Sequence, residues 1–341
     1  MSATGDRPAI SVIVPAYNAA AYLADCFAGL TAQTFADFEV VAVDDGSTDD
    51  TPAALREWAQ RDGRVRVHSQ QNGGGYRARL AGVRLARGRY VAFVDADDHV
   101  EPTFLAHLYA TAERTAADIV VAGFDRVDMD TGCQLSTEMT SWGESVLGVH
   151  AAEARLLDIN TALWNKLFRA SALADLWQLA QPPTLGDDVL VFLCALLNST
   201  RIAFWPGVEY HYVVRPGSVV QTFSTSKIDP LGRSLVTAKR RVCDNPETVA
   251  YGELVDALAF VHLGLSASYR LISNGTTRAA PVVRSTLRLL DVQFASWRHT
   301  RLLVANHRYR LLRAVARLGL LTPALKSLAF VLKTTRRDLS W

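Results

Sequence analysis

Short apolar runs alternate with amphipathic stretches through the first third of the chain. Ile10-Ser11-Val12-Ile13-Val14 is a run of strand character, ended by Pro15. Ala19 to Leu30 places its apolar residues at helical spacing. Phe38 to Val43 is a second apolar run, ended by Asp44-Asp45-Gly46. Ser47-Thr48-Asp49-Asp50 then offers capping side chains for a helix to about Gln60. Val65 to His68 reads as a third strand, Gly73-Gly74-Gly75 leads into a helix to about Ala86, and Tyr90 to Val94 reads as a fourth strand. This alternation predicts an α/β fold: a mostly parallel sheet flanked by helices. Such sheets bind ligands outside the carboxyl ends of their strands. The polar motifs follow strands one, two and four, so one cleft can gather them.

Beyond Pro102 the pattern loosens. It predicts a helix to about Arg114, a strand over Asp118 to Ala122, and an irregular polar stretch to about Gly148. Helices near Ala151 to Asp158 and Asp187 to Leu197 follow, then strands over Ile202 to Trp205 and Val208 to Val214. After Ser226 the chain reads as helical, with breaks at Asn245-Pro246, Asn274-Gly275 and Thr322-Pro323. The predicted division is an α/β domain over 1–225 and a helical region over 226–341.

Composition narrows the class. With 49% apolar and 21% charged residues, the chain is ordinary for a packed protein and unsuited to long disorder. The four cysteines are scattered without a C-x-x-C pair. That argues against a zinc site or disulfide framework and suits a reducing cytoplasm. Met1 to Asp6 is polar, without an apolar signal core, and no apolar run is expected to reach the roughly 18 residues that span a bilayer.

Net charge is only +2, but it is unevenly spread. From Arg298 to the end there are ten Lys/Arg against one acid, Asp338, which leaves −7 for the rest. Between Arg301 and Leu332 apolar residues recur at helical spacing among the basic ones. Such helices suit peripheral contact with an anionic membrane, a homo-oligomer contact, or docking on the acidic remainder of the chain. Nucleic-acid binding is not expected, because no stacking platform or known module accompanies the charge.

The densest chemistry closes the fourth strand, where Asp95, Asp97 and Asp98 put three carboxylates within four residues. Like charges this close raise one another's pKa unless something positive sits among them. A hard divalent cation, Mn²⁺ or Mg²⁺, fits, and it would keep open positions for phosphate oxygens. An isolated D-x-D is equally consistent with a solvated acidic turn.

Four segments, in order, extend this reading. They are Val12-Ile13-Val14-Pro15-Ala16-Tyr17-Asn18, then Val40 to Asp49 with Asp44-Asp45-Gly46-Ser47-Thr48-Asp49. Next is Asn72-Gly73-Gly74 through Ala78-Arg79 and Gly82, leading to Gly88-Arg89-Tyr90 and the acidic cluster. Last come Trp164-Asn165-Lys166-Leu167-Phe168-Arg169, Gly186-Asp187-Asp188, and Tyr210-His211-Tyr212 with Arg215-Pro216-Gly217-Ser218. Together they resemble the family 2 glycosyltransferases, which have the GT-A fold. There are two departures: Leu80 stands where the family often has Asn after Arg79, and Asp187-Asp188 stands for a Glu-Asp pair. Beyond about residue 225 nothing specific matches.

The resemblance implies an inverting transfer of a sugar from a nucleoside diphosphate donor, with a lean to uridine, onto an acceptor hydroxyl. It implies a nucleotide-sugar half over about 8–125 and an acceptor half over about 126–225. Pro15, Ala16, Tyr17, Asn18, Asp44, Asp45, Asn72, Arg79, Asp95 and Ala96 would bind the donor, with Tyr17 stacking on the base and Asp45 accepting from its N–H. Arg215 and Ser218 would close over the diphosphate. Asp97, Asp95 and Asp98 are the metal candidates, with Asp97 leading. Asp188 is the expected general base and Asp187 the alternative. Trp164 and His211 are weaker candidates for the acceptor side; either could equally be a core residue. A sugar nucleotidyltransferase is the rival enzyme, but it needs a basic Gly-rich loop after the first strand, and no Lys or Arg lies between Pro15 and Arg56. A non-catalytic partner subunit is the third reading, and the intact Asp95, Asp97 and Asp188 speak against it.

Overall fold

The computed structural model describes residues 7–149, 153–174, 176, 183–215, 222–276 and 279–335. The chain forms two compact units: Met1–Ala151 with Thr161–Val214, and Ala152–Asn160 with Arg215–Trp341. The units therefore part at Val214, earlier than residue 225, and residues 152–160 go with the helical one.

The first unit is built on strands β1 (Ile10–Ala16), β2 (Phe38–Asp44), β3 (Val65–Ser69), β4 (Tyr90–Phe93), β5 (His99–Val100), β6 (Ile119–Asp128), β7 (Gln134–Glu138), β8 (Ser145–Gly148), β9 (Lys166–Arg169) and β10 (Arg201–Val214). They form one mixed sheet in the order β3-β2-β1-β4-β9-β6-β10-β5, with β7 on β6 and β8 on β10. Helices α1 (Leu23–Thr31), α2 (Thr51–Arg61), α3 (Gly75–Leu85), α4 (Phe104–Thr115) and α5 (Asp187–Leu197) flank it. The parallel half is β3, β2, β1 and β4. β9 then runs antiparallel between β4 and β6, and β6 is parallel to β10.

Register decides where the site can form. Ala16 pairs with Asp44, and Ile13 pairs with Phe93. The carboxyl ends of β1, β2 and β4 therefore lie along one edge. Close packing fixes the helix that serves this edge. A Cβ on Gly82 of α3 would lie 2.3 Å from Ile13 Cγ2, so only glycine lets α3 lie on β1. At the opposite end of the strands, buried Glu39 accepts from Ser11 Oγ (2.7 Å), Arg66 (2.7 Å) and Arg87 (2.8 Å). Burial pushes Glu39 up, but these hydrogen bonds outweigh it and hold its carboxyl below the usual range.

Two expected strands, Ile202–Trp205 and Val208–Val214, are one strand, β10, whose pairing with β6 is irregular between Trp205 and Tyr210. Pro206 and Gly207 bend it without ending it, and a Cβ on Gly207 would strike the Trp205 indole at 2.3 Å. β6 in turn runs on to Asp128 because β10 continues beside it.

The second unit holds α6 (Ile228–Cys243), α7 (Gly252–Ala259), α8 (Ser268–Ser273), α9 (Ala279–Gln293), α10 (Arg301–Ala305), α11 (His307–Arg317) and α12 (Leu321–Thr335). A wide π-type segment, Phe260–Ala267, joins α7 to α8. The run Val249–Ser273 is one helix long and apolar enough to cross a membrane, which corrects the expectation that none reaches that length. In this fold 72% of its apolar window is buried. It also carries Asp256, paired with Lys239 at 2.6 Å and accepting from Ser296 N at 3.1 Å, so it serves as a core helix.

Candidate functional site

The turns after β1 and β2 are tied together by side chains from the two polar motifs. Asn18 has a left-handed backbone, φ 49°, which its short polar side chain tolerates. Its N–H donates to Ser47 Oγ (3.0 Å), and its Oδ1 accepts from Thr48 N (2.8 Å). Ala19 N donates to Thr51 Oγ1 (2.7 Å) and Ala20 N to Asp49 (3.2 Å). Asp44 accepts from Ser47 N at 3.0 Å, closing its own turn. These ties hold Tyr17 at the sheet edge with 52% of its surface exposed, an aromatic face free to stack.

Asp45 lies beneath this edge, only 3% exposed. It accepts from Gln70 Nε2 (2.7 Å), Gly73 N (2.9 Å) and Gly74 N (2.7 Å). A carboxylate has about four acceptor positions, so these three leave room for one more donor. Most of what Asp45 does here is fix the glycine loop that opens α3. Asn72 stands on that loop, where a Cβ on Gly46 would sit 2.6 Å from its backbone N. Pro15 and Ala16 contribute backbone: Asp45 N donates to the Ala16 carbonyl at 2.8 Å.

Arg79, one turn into α3, joins the two halves of the site. Its Nη2 donates to Asp95 Oδ1 (2.9 Å), just past β4, and its Nη1 to Asp187 Oδ2 (2.5 Å), at the start of α5. Nη1 also lies 3.8 Å from Asp188 Oδ1. Burial opposes the charge, but Asp187, Asp95 and Asp188 outweigh it and keep the guanidinium protonated. Gly75 makes room for the arrangement, since a Cβ there would approach Arg79 Nη1 at 3.0 Å and Asp187 Oδ2 at 3.3 Å.

Asp188 is held differently. Its Oδ1 is shut off from solvent and has no hydrogen-bond partner, while the side chain as a whole keeps 36% of its surface exposed. Burial is the main cause that pushes its pKa up to about 7; Arg79 pulls it down and Asp187 pushes it up. Lys166 is the other nearby cation. Fully buried, its Nζ donates to the Ala162 carbonyl (2.5 Å) and Asn165 Oδ1 (2.9 Å). Burial holds its pKa well below the usual lysine value. A carboxyl that titrates near neutrality, with one edge open, is suited to accept a proton.

The acidic cluster divides. Asp95 is raised chiefly by burial and lowered by Arg79. Asp97 is partly exposed. Asp98 is buried, and Tyr210 Oη donates to its Oδ2 (2.6 Å) and Val213 N to its Oδ1 (2.8 Å), so both oxygens tie it to β10. Burial, with Asp95 and Asp97 beside it, pushes its carboxyl well above the usual range. Ala96 is buried between these acids. Among the described residues no group of three or more His, Cys, Asp or Glu side chains converges as a ligand set. Asp97 with Asp95 supplies hard oxygen donors of the kind Mn²⁺ or Mg²⁺ takes when phosphate oxygens and water complete the shell.

Trp164 and His211 are placed in the framework, against an acceptor role. Trp164 is 8% exposed, with Phe124 edge-on to its ring at 4.5 Å and Tyr210 stacked on it at 4.6 Å. His211 is held by Asp125 (2.6 Å) and Glu101 (2.9 Å). Arg215 begins the second unit, and Ser218 lies outside the described residues. Gln70, Lys166 and Tyr210 were not among the expected site residues. Gln70 and Tyr210 act through partners remote in sequence, whereas Lys166 bonds Ala162 and Asn165 close by; only the Trp164-Asn165-Lys166 run and the Tyr210-His211-Tyr212 run gave any signal.

Comparisons with known proteins bear on the family and the fold. Residues 11–162 match the model of glycosyl transferase family 2. EpsH of Bacillus subtilis, provisionally named a glycosyltransferase, is 27% identical over 287 residues, covering 82% of each chain. Residues 1–349 of TarS from S. aureus, solved with UDP-GlcNAc, superpose with a TM-score of 0.70 at 20% identity, covering 97% of this chain and 93% of that one. The mannosyltransferase PcManGT from Pyrobaculum calidifontis, solved with GDP-Man and Mn²⁺, gives a TM-score of 0.54 at 18% identity, covering 98% and 89%. Both likenesses show the GT-A fold.

Proposed function

This chain belongs to glycosyltransferase family 2, and on that premise we propose that it moves a sugar from a nucleoside diphosphate donor to an acceptor hydroxyl with inversion, using Asp188 as general base. The observation that carries the reading is Arg79. One guanidinium bonds Asp95 at the strand exit and Asp187 beside Asp188. A donor diphosphate near Asp95 and a proton acceptor at Asp188 would therefore share one cleft.

In this reading the nucleoside lies over the β1–β2 edge, its base stacked on Tyr17 and its N–H offered to the remaining acceptor position of Asp45. The UDP and GDP sugars of the two structural neighbours supply the donor class. Asp97, with Asp95, would hold a divalent cation that neutralises charge on the departing diphosphate. Asp188 receives the acceptor O–H proton as that oxygen bonds to the anomeric carbon. The bond from that carbon to the diphosphate oxygen breaks, and its electron pair leaves with the nucleoside diphosphate. The acceptor is a hydroxyl of a glycan, glycoconjugate or metabolite. The four scattered cysteines, without a C-x-x-C pair, support placement in a reducing cytoplasm.

The test is nucleoside diphosphate release from a panel of UDP- and GDP-sugars, with Mn²⁺ or with EDTA. Release from one donor, slowed about 100-fold or more by EDTA and restored by Mn²⁺, supports the reading. Metal-independent release removes the cation from it, and no release from any donor in the presence of acceptor glycans removes the transfer.

A further inference from the structure

The end of the second unit presents a surface that the transfer chemistry does not use. α11 is pinned from within. Tyr309 and Ala316 are buried, and Asn306 caps the helix by accepting from Arg308 N at 3.0 Å. Asn306 Nδ2 donates to Asp158 (2.8 Å) and Tyr309 Oη to the Leu157 carbonyl (3.3 Å). The helix cannot roll without breaking these bonds, so its outward face is set.

That face is apolar along its centre and basic around it. Leu311 is 70% exposed and Leu318, which ends the helix, 73%. Leu320, past the left-handed turn at Gly319, is 53% exposed, and Val304 on α10 39%. Leu311 and Leu318 lie two turns apart, on one stripe. Arg301, Arg308, Arg310 and Arg317 are exposed around it. From Arg298 through Thr335 there are eight Lys/Arg and no Asp or Glu.

We propose that this face docks on the surface of an anionic lipid bilayer. The leucines enter the boundary between headgroups and acyl chains, and the arginines meet lipid phosphates. Charge complementarity selects this occupant. A second copy of the same face would bring arginines against arginines, with no acid in the segment to pair them. A single-stranded nucleic acid needs flat side chains for stacking, and leucine offers none.

The test is co-sedimentation of the full chain with phosphatidylcholine vesicles, with and without phosphatidylglycerol, at low and high salt. The chain should pellet with anionic vesicles at about 50 mM salt and much less at about 500 mM, where screening is short-ranged. Arg308→Gln, Arg310→Gln and Arg317→Gln should each lower partitioning about fivefold. The triple change Leu311→Gln, Leu318→Gln and Leu320→Gln keeps the charge and should lower it roughly tenfold or more. Circular dichroism melting and donor turnover should match wild type in both sets, showing that the fold is intact. The proposal is overturned by recovery in the supernatant with anionic vesicles at low salt. It is equally overturned if the leucine triple binds as wild type does. Sedimentation velocity showing a dimer that the leucine triple dissolves, without vesicle binding, would replace it with self-association.

Discussion

Asp45, after β2, and Asp188, at the start of α5, have surroundings that treat them in opposite ways. Asp45, in the loop after β2, is 3% exposed and accepts from Gln70, Gly73 and Gly74. Asp188, in the first turn of α5, has a buried Oδ1 without a hydrogen-bond donor and a pKa pushed up to about 7, mainly by burial. The loop after β2 uses a carboxylate as a structural tie, and the start of α5 carries the one proposed above as general base. A carboxyl with an oxygen short of donors and a pKa raised toward 7 is suited to take a proton.

The sharpest way to break this contrast is Asp188→Asn. It should lower transfer about 10²–10⁴-fold, the usual contribution of a positioned base, while calorimetry shows donor affinity near wild type. Near-normal transfer would move the base elsewhere, first to Asp187. A stability change should accompany the substitution. The folded-state pKa of Asp188 is raised, so the native state binds the extra proton between the unfolded value and about 7, and that group's contribution falls as pH rises through this window. Asp188→Asn removes the penalty, and its melting temperature should exceed wild type more at pH 8 than at pH 5.

Arg79→Gln is the next largest change. It leaves Asp95 and Asp187 without their common partner, and breaking a buried pair costs about 3–5 kcal/mol, measurable by urea titration. Arg79 also lowers the pKa of Asp188, so the onset of activity should move to higher pH. An unshifted onset would show that Arg79 acts on the fold alone. Asp45→Asn should be milder. An amide cannot accept all three bonds, and the loss should cost about 1–3 kcal/mol. Donor KM should rise with kcat near wild type. A collapse of kcat would mean that Asp45 reaches the reacting atoms.

Much of this was legible in the chain, for identifiable reasons. The β/α alternation from Ile10 to Phe93 follows apolar periodicity, and the strand ends carry their motifs with them. β9 was hidden because Lys166–Arg169 is only four residues long and its place between β4 and β6 is a long-range fact. Residues 152–160 gave no sign of joining the helical unit, because Asp158 meets Asn306 only in the fold. At the site, the resemblance to the family pointed to Asp188, Arg79 and Asp95. It could not show that Asp98 is tied to β10, because those bonds come from Tyr210 and Val213. Gln70 was missed for the same reason, since its role lies in its bond to Asp45, 25 residues away.

The most direct test of the central claim is the pH dependence of kcat/KM for the donor, which reports groups of the free enzyme. A base raised to about 7 is protonated and idle in acid. The rate should climb with unit slope below pH 7, level off above it, and lose that rise in Asp188→Asn. A wild-type profile flat from about pH 5 to 8, or an unchanged rise in Asp188→Asn, would contradict the account.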